Sequence, residues 1–102
     1  MRHLSYNDLY NELHASKPGD RLLYCIGDLG LERLTNDELD RVANLAAAIS
    51  ELGYGVLVCK RLLPGCYAYY VVPRVRLREG KHRGGMLQEA ADLTRLAPRR
   101  II

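Results

Sequence analysis

Leu39, Val42, Ala46, Ile49 and Leu52 recur every three or four residues, which lays one apolar stripe along a helix. Nothing else in the chain limits the fold as much. Ala43 and Leu45 widen the stripe, Thr35 and Glu38 hold the positions of a capping box, and Leu34 and Leu39 those of a hydrophobic staple. Gly53 stands where a left-handed residue stops a helix. A hairpin pattern follows at once. Tyr54 to Arg61 is rich in Val and Leu, Pro64-Gly65 supplies a turn, Cys66 to Val72 is rich in Tyr and Val, and Pro73 ends the second strand.

Upstream, Ser5 is a natural N-cap, with Asp8 at the third helical position and Leu4 and Leu9 at staple positions. Leu9 and Leu13 share a face with Tyr6 and Tyr10 beside them, and Lys17-Pro18-Gly19-Asp20 ends this helix near Ala15. Arg21 to Ile26 reads as a short buried strand closed by Gly27-Asp28-Leu29-Gly30. Residues 27–34 then serve as a turn or a short extra helical turn. The predicted architecture is α+β and winged-helix-like over residues 1–73: helix, strand, helix, hairpin. Three antiparallel strands with helices on one face would bury the stripe of the second helix.

Downstream, Arg74-Val75-Arg76-Leu77-Arg78 alternates as an extended arm or a further edge strand would. Gly80-Lys81-His82-Arg83-Gly84-Gly85 reads as a flexible basic linker, so residues 74–85 form a basic arm. Met86 to Ala97 carries a third helical pattern through Leu87, Ala90, Ala91 and Leu93, stopped by Pro98. That C-terminal helix, in the segment 86–102, is expected to fold back on the body or to pair two copies as a homodimer.

The run Lys17-Pro18-Gly19-Asp20-Arg21-Leu22-Leu23-Tyr24, then Gly27 and Leu29, the Ala-rich helix, Val56-Leu57-Val58 and the Tyr-rich strand together resemble a group of small uncharacterised winged-helix-like proteins encoded in bacterial prophages. The resemblance spans about residues 5–73 and is one of pattern. It implies a mobile-element origin and carries no catalytic signature.

Charge divides the chain. Residues 1–73 hold 7 Lys/Arg against 9 Asp/Glu, and residues 74–102 hold 8 against 3, so a nearly neutral body leads into a basic end. The three cysteines, Cys25, Cys59 and Cys66, are odd in number and lack C-x-x-C spacing, which fits reduced thiols. No apolar run is long enough to span a bilayer, and the N-terminus does not look like a signal peptide. A cytoplasmic protein is expected.

The residues that carry catalysis are poorly arranged for it. Ser5, Ser16 and Ser50 lie outside any G-x-S-x-G, and each cysteine falls on a predicted strand, where a thiol serves as a small hydrophobe. His3, His14 and His82 do not share a helical turn, and Cys59 and Cys66 are not opposite each other in the hairpin, so no metal is expected. The glycines of 80–85 lack the Gly-Lys-Ser/Thr ending of a phosphate loop. The chain reads as a binding protein without a cofactor, and not as an enzyme.

Two partner classes remain. Arg74, Arg76, Arg78, Lys81 and Arg83 fall within ten residues, with Glu79 the only acid, which suits a phosphate grip without sequence preference. The protein would then be a regulatory or accessory factor of phage type. The alternative is a protein-binding inhibitor of a basic host or defence protein, of the anti-CRISPR kind. It would use Asp37, Glu38 and Asp40 on the acidic helix 36–52 and the hairpin tyrosines Tyr67 and Tyr69. That helix has Arg41 alone against four carboxylates, a poor charge balance for a DNA groove.

Overall fold

Each helix among the described residues begins where a short polar side chain takes up an amide that the first turn leaves free. The computed structural model describes residues 2–77, Arg2 by its backbone only. Ser5 Oγ accepts from the Asp8 N–H at 3.1 Å and starts α1 (Tyr6–Ala15). Leu4 packs against the core that holds Leu9, so the expected staple positions are used. Asp28 starts the single turn α2 (Leu29–Glu32), and its own N–H donates to Glu32 Oε2 at 2.8 Å. That turn realises the short extra helix allowed for residues 27–34.

The long helix α3 (Asp37–Glu51) starts one residue later than the sequence indicated. Its cap is Asn36, whose Oδ1 accepts from the Leu39 N–H at 3.0 Å. The expected Thr35–Glu38 capping box and Leu34–Leu39 staple are therefore not formed. Thr35 and Leu34 are exposed, and Glu38 instead accepts a hydrogen bond from the Tyr6 N–H. A carboxylate that bonds the free N-terminus of a neighbouring helix outcompetes the local box, which sequence spacing alone cannot reveal. The helix ends as expected. Gly53 has φ +80°, Tyr54 N–H donates to Ile49 O at 2.9 Å, and Gly53 N–H donates to Ser50 O at 3.0 Å. This is a Schellman stop.

The sheet contains the three expected strands, β2 (Leu22–Gly27), β3 (Gly55–Leu63) and β4 (Cys66–Pro73), and one unexpected one. Arg2–His3 forms β1, antiparallel to β2 through Arg2↔Ile26 and His3↔Cys25, so among the described residues the expected three-stranded sheet has four strands in the order β1-β2-β4-β3. All pairs are antiparallel. Cys59 lies opposite Tyr69, and Leu63 opposite Cys66, which keeps Cys59 and Cys66 out of register, as expected.

Helices α1 and α3 cover one face. Leu9 and Leu13 from α1, Leu39, Val42, Leu45 and Ile49 from α3, and Val71 from β4 are fully buried together. At roughly 1.5–3 kcal/mol for each large side chain removed from water, this cluster dominates stability. The register sends Val71 and Tyr69 toward the helices and leaves Tyr70 and Val72 on the opposite face. On that open face Tyr70 lies between Leu23 and Val58, and Val72 beside Val56.

The helix reaches the sheet closely because of Gly55. A Cβ there would lie 2.8 Å from Val72 O and 2.9 Å from Ile49 Cγ2. Any side chain at this position would push α3 off the hairpin.

Candidate nucleic-acid interface

The chain leaves the sheet at Pro73 with its backbone fastened on two sides. Gly19 N–H donates to Pro73 O at 2.8 Å, and Arg74 N–H donates to Tyr54 O at 2.8 Å. Residues 74–77 then alternate as the sequence suggested, but not as a strand. Arg74 and Arg76 are exposed, Val75 is half-buried, and Leu77 is fully buried in the main core. The basic segment therefore starts as part of the body, held by an apolar anchor that sequence reading had treated as one member of an alternating arm. Arg78, Lys81 and Arg83, like the expected helix 86–97, lie outside the described residues.

The bond from Gly19 to Pro73 brings a second basic segment to the same end of the molecule. Lys17 and Arg21 flank that turn, and both are exposed. Asp20 is the acid among them, and its carboxylate accepts from the Lys17 N–H at 2.8 Å, closing the turn. Residues 17–21 and 74–76 thus carry Lys17, Arg21, Arg74 and Arg76 against Asp20, a balance of +3. Neither Arg74 nor Arg76 forms an ion pair with another described residue. Glu51, at the end of α3 nearby, already has an interaction of its own. Lys17 and Arg21 escaped the sequence reading because only the tertiary hydrogen bond brings them to the arm.

The acidic residues proposed for a protein partner are largely spent inside the fold. Asp40 is buried, and its Oδ1 accepts from Arg33 Nε–H at 2.8 Å, with the Arg33 side chain only 12% exposed. Arg33 also donates to Asn44 Oδ1 at 2.7 Å, which locks the end of α2 onto α3. Glu38 accepts from Tyr6 N–H and lies 3.6 Å from Arg41, whose guanidinium stacks over the Tyr6 ring at 4.6 Å. Asp37 is exposed and also partnered.

The two tyrosines of that alternative site face the helix side and are half-buried. Their rings are 6.2 Å apart. The Tyr69 hydroxyl accepts from the Leu29 N–H at 3.2 Å, and burial raises the phenol's pKa above its ordinary value. Tyr70, on the open face, was assigned no role by the sequence.

A cleft of about 150 Å³ lies between β1 and β2, lined by His3, Leu4, Leu23, Tyr24, Cys25 and Ile26, below the roughly 300 Å³ at which ligand pockets begin. Burial pushes the Cys25 thiol up to about 11, so it stays protonated at neutral pH. Among the described residues no group of three His, Cys, Asp or Glu gathers as metal ligands, and no helix is long and apolar enough to cross a membrane.

Compared with family models, with curated proteins and with solved structures, the chain matches none.

Proposed function

We propose that this is a nucleic-acid-binding protein whose grip is the basic end formed by Arg74 and Arg76 with Lys17 and Arg21, continued by Arg78, Lys81 and Arg83. One observation carries the reading: Arg74 and Arg76 are exposed on a backbone tied down by two hydrogen bonds and by buried Leu77. Cations held in place lose less entropy on meeting phosphate than cations on a free tail.

The order of elements supports a winged-helix-like domain, with helix, strand, two helices and a hairpin, and with β2 beside β4. In such a domain α3 would be the reading helix. Here eight of its fifteen residues are buried, and its exposed residues are Asp37, Arg41 and Glu51, a net balance of −1. Base readout by α3 has little support, and binding through the basic end is without sequence preference. The further role, a regulatory or accessory factor of phage type, rests on the sequence resemblance alone.

The test is fluorescence anisotropy of the full chain with a mixed-sequence duplex and with a single strand, across a salt series. Binding should weaken steeply with salt, with a slope of about −0.9 for each phosphate neutralised on duplex. Arg74→Gln with Arg76→Gln should flatten that slope by nearly two contacts. Deleting residues 74–102 is not a clean test, because it removes Leu77 from the core. No binding at low salt would remove this reading and favour the protein-binding inhibitor of a host or defence protein. With Asp40 and Glu38 engaged internally, that alternative draws its support from the apolar hairpin.

A further inference from the structure

We infer that a second copy of this chain pairs with the outer edge of β3, the two β3 strands running antiparallel about a two-fold axis at Val58. β3 is the last strand in the order β1-β2-β4-β3, so one of its edges bonds β4 and no described strand covers the other. An uncovered edge is a row of unpaired N–H and C=O groups, which favours strand addition.

This edge is weakly guarded. It contains no proline, and its protections are Lys60, Arg61 and a register irregularity between Arg61 and Leu63. Around it Val56 is 39% exposed, Leu57 44% and Leu63 65%. Exposed β-branched and leucine side chains on a long edge strand are unusual unless something covers them.

Charge and symmetry select both occupant and register. A two-fold axis perpendicular to the sheet keeps equivalent residues on the same face, so the axis must pass through a residue paired with itself. Centred on Lys60, the pairing would set two lysines directly opposite, which is destabilising. Centred on Cys59, it would run Gly55 against Leu63 and cross the irregularity at the tip. Centred on Leu57, it would pair only residues 55–59 of the strand, whereas centred on Val58 it uses the whole regular stretch 55–61 and gives Val58↔Val58, Leu57↔Cys59, Val56↔Lys60 and Gly55↔Arg61. No like charges face each other. A strand from the chain's own residues 78–85 would suit the edge less well than a second copy. That segment holds Arg78, Lys81 and Arg83 among three glycines, and a strand from it would bring these cations toward Lys60 and Arg61.

The dimer is independent of the nucleic-acid reading but bears on it. Tyr54, whose carbonyl holds Arg74, is four residues from Val58, so the two basic ends would lie roughly 27 Å apart along the strands at ~3.4 Å per residue. That exceeds two Debye lengths at 0.1 M salt, so the ends repel little. If nucleic acid is bound, each dimer presents two grips.

The test is the mass in solution of the full chain, by light scattering and sedimentation over a wide concentration range, without nucleic acid. A reversible dimer is expected, and Val58→Lys, which sets two lysines at the axis, should be monomeric with an unchanged circular dichroism spectrum and with the melting curve that the parent shows at concentrations where it is itself monomeric. In a second variant, Val58→Cys with Cys59→Ser and Cys66→Ser, copper–phenanthroline should give a covalent dimer within the concentration range where the parent dimerises. A monomer at all concentrations, or a dimer that survives Val58→Lys, overturns the proposal. So does a chain that crosslinks through native Cys59 but not through Val58→Cys. Because these readouts contain no nucleic acid, they fail or succeed separately from the anisotropy series.

Discussion

Asp40 shows how a single residue can carry a different meaning in the sequence and in the fold. As one of three clustered carboxylates at a helix start it looks like part of an acidic face. In the structure it is buried against Arg33, and Arg33 in turn holds Asn44. Removing one partner of a largely buried pair leaves the other charge without compensation. Asp40→Ala and Arg33→Ala should each cost about 3 kcal/mol in urea denaturation. Asp37→Ala, at an exposed position, should cost well under 1 kcal/mol. A binding defect in an Asp40 variant would therefore report on folding before it reported on a partner.

Cys25 makes a second prediction at the same scale. Its folded pKa is raised from 9.0 to about 11 by burial. A raised pKa means that the folded state keeps its proton while the unfolded chain loses it, so this contribution is intact below pH 9 and is lost as pH rises toward 11. The loss should reach about 1 kcal/mol at pH 10. Urea midpoints at pH 8 and pH 10 should show it, and Cys25→Ala should lose less between the two than the parent does. Tyr24, with a pKa also raised by burial, adds to the same alkaline slope.

Among the elements, the contact of α3 with the hairpin depends on Gly55, and the fastening of the basic end depends on Leu77. Gly55→Ala should destabilise by about 1–3 kcal/mol, since Val72 O is backbone and cannot move aside. Leu77→Ala should cost about 2–5 kcal/mol by thermal or urea denaturation, the range for a buried leucine. A loss below 0.5 kcal/mol would show that residues 74–77 are not part of the cooperative body. The starts of α1 and α3 were legible to within one residue because capping chemistry is local. Ser5 was read correctly. The α3 cap was read one residue early, since Glu38 was drawn away by the N-terminus of α1.

For the whole molecule, the fold separates two surfaces: a basic end where Pro73, Arg74 and the 17–21 turn meet, and an apolar hairpin edge at β3. The proposed phosphate binding at the first and the proposed self-pairing at the second draw on different residues. The double variant Arg74→Gln with Arg76→Gln should lower nucleic-acid affinity and its salt slope while leaving the solution mass unchanged. Val58→Lys should do the converse to mass, and should weaken affinity only as far as the second grip of a dimer contributes. Measuring both properties on both variants distinguishes the two surfaces.

The sequence by itself determined what short-range physics controls. The stripe from Leu39 to Leu52 required a buried helix, Gly53 its stop, Pro64-Gly65 the hairpin, and the alternation after Pro73 the exposure of Arg74 and Arg76. Tertiary structure decided what depends on residues distant in the chain. It added β1, because a two-residue strand has no pattern to read until β2 is beside it. It buried Asp40, because Arg33 comes from the preceding turn and no spacing rule links the two. It joined Lys17 and Arg21 to the basic end through one hydrogen bond from Gly19 to Pro73, and it left β3 at the edge of the sheet. Strand order rests on pairings between residues distant in the chain, β2 with β4 among them, and local propensity contains no record of that choice.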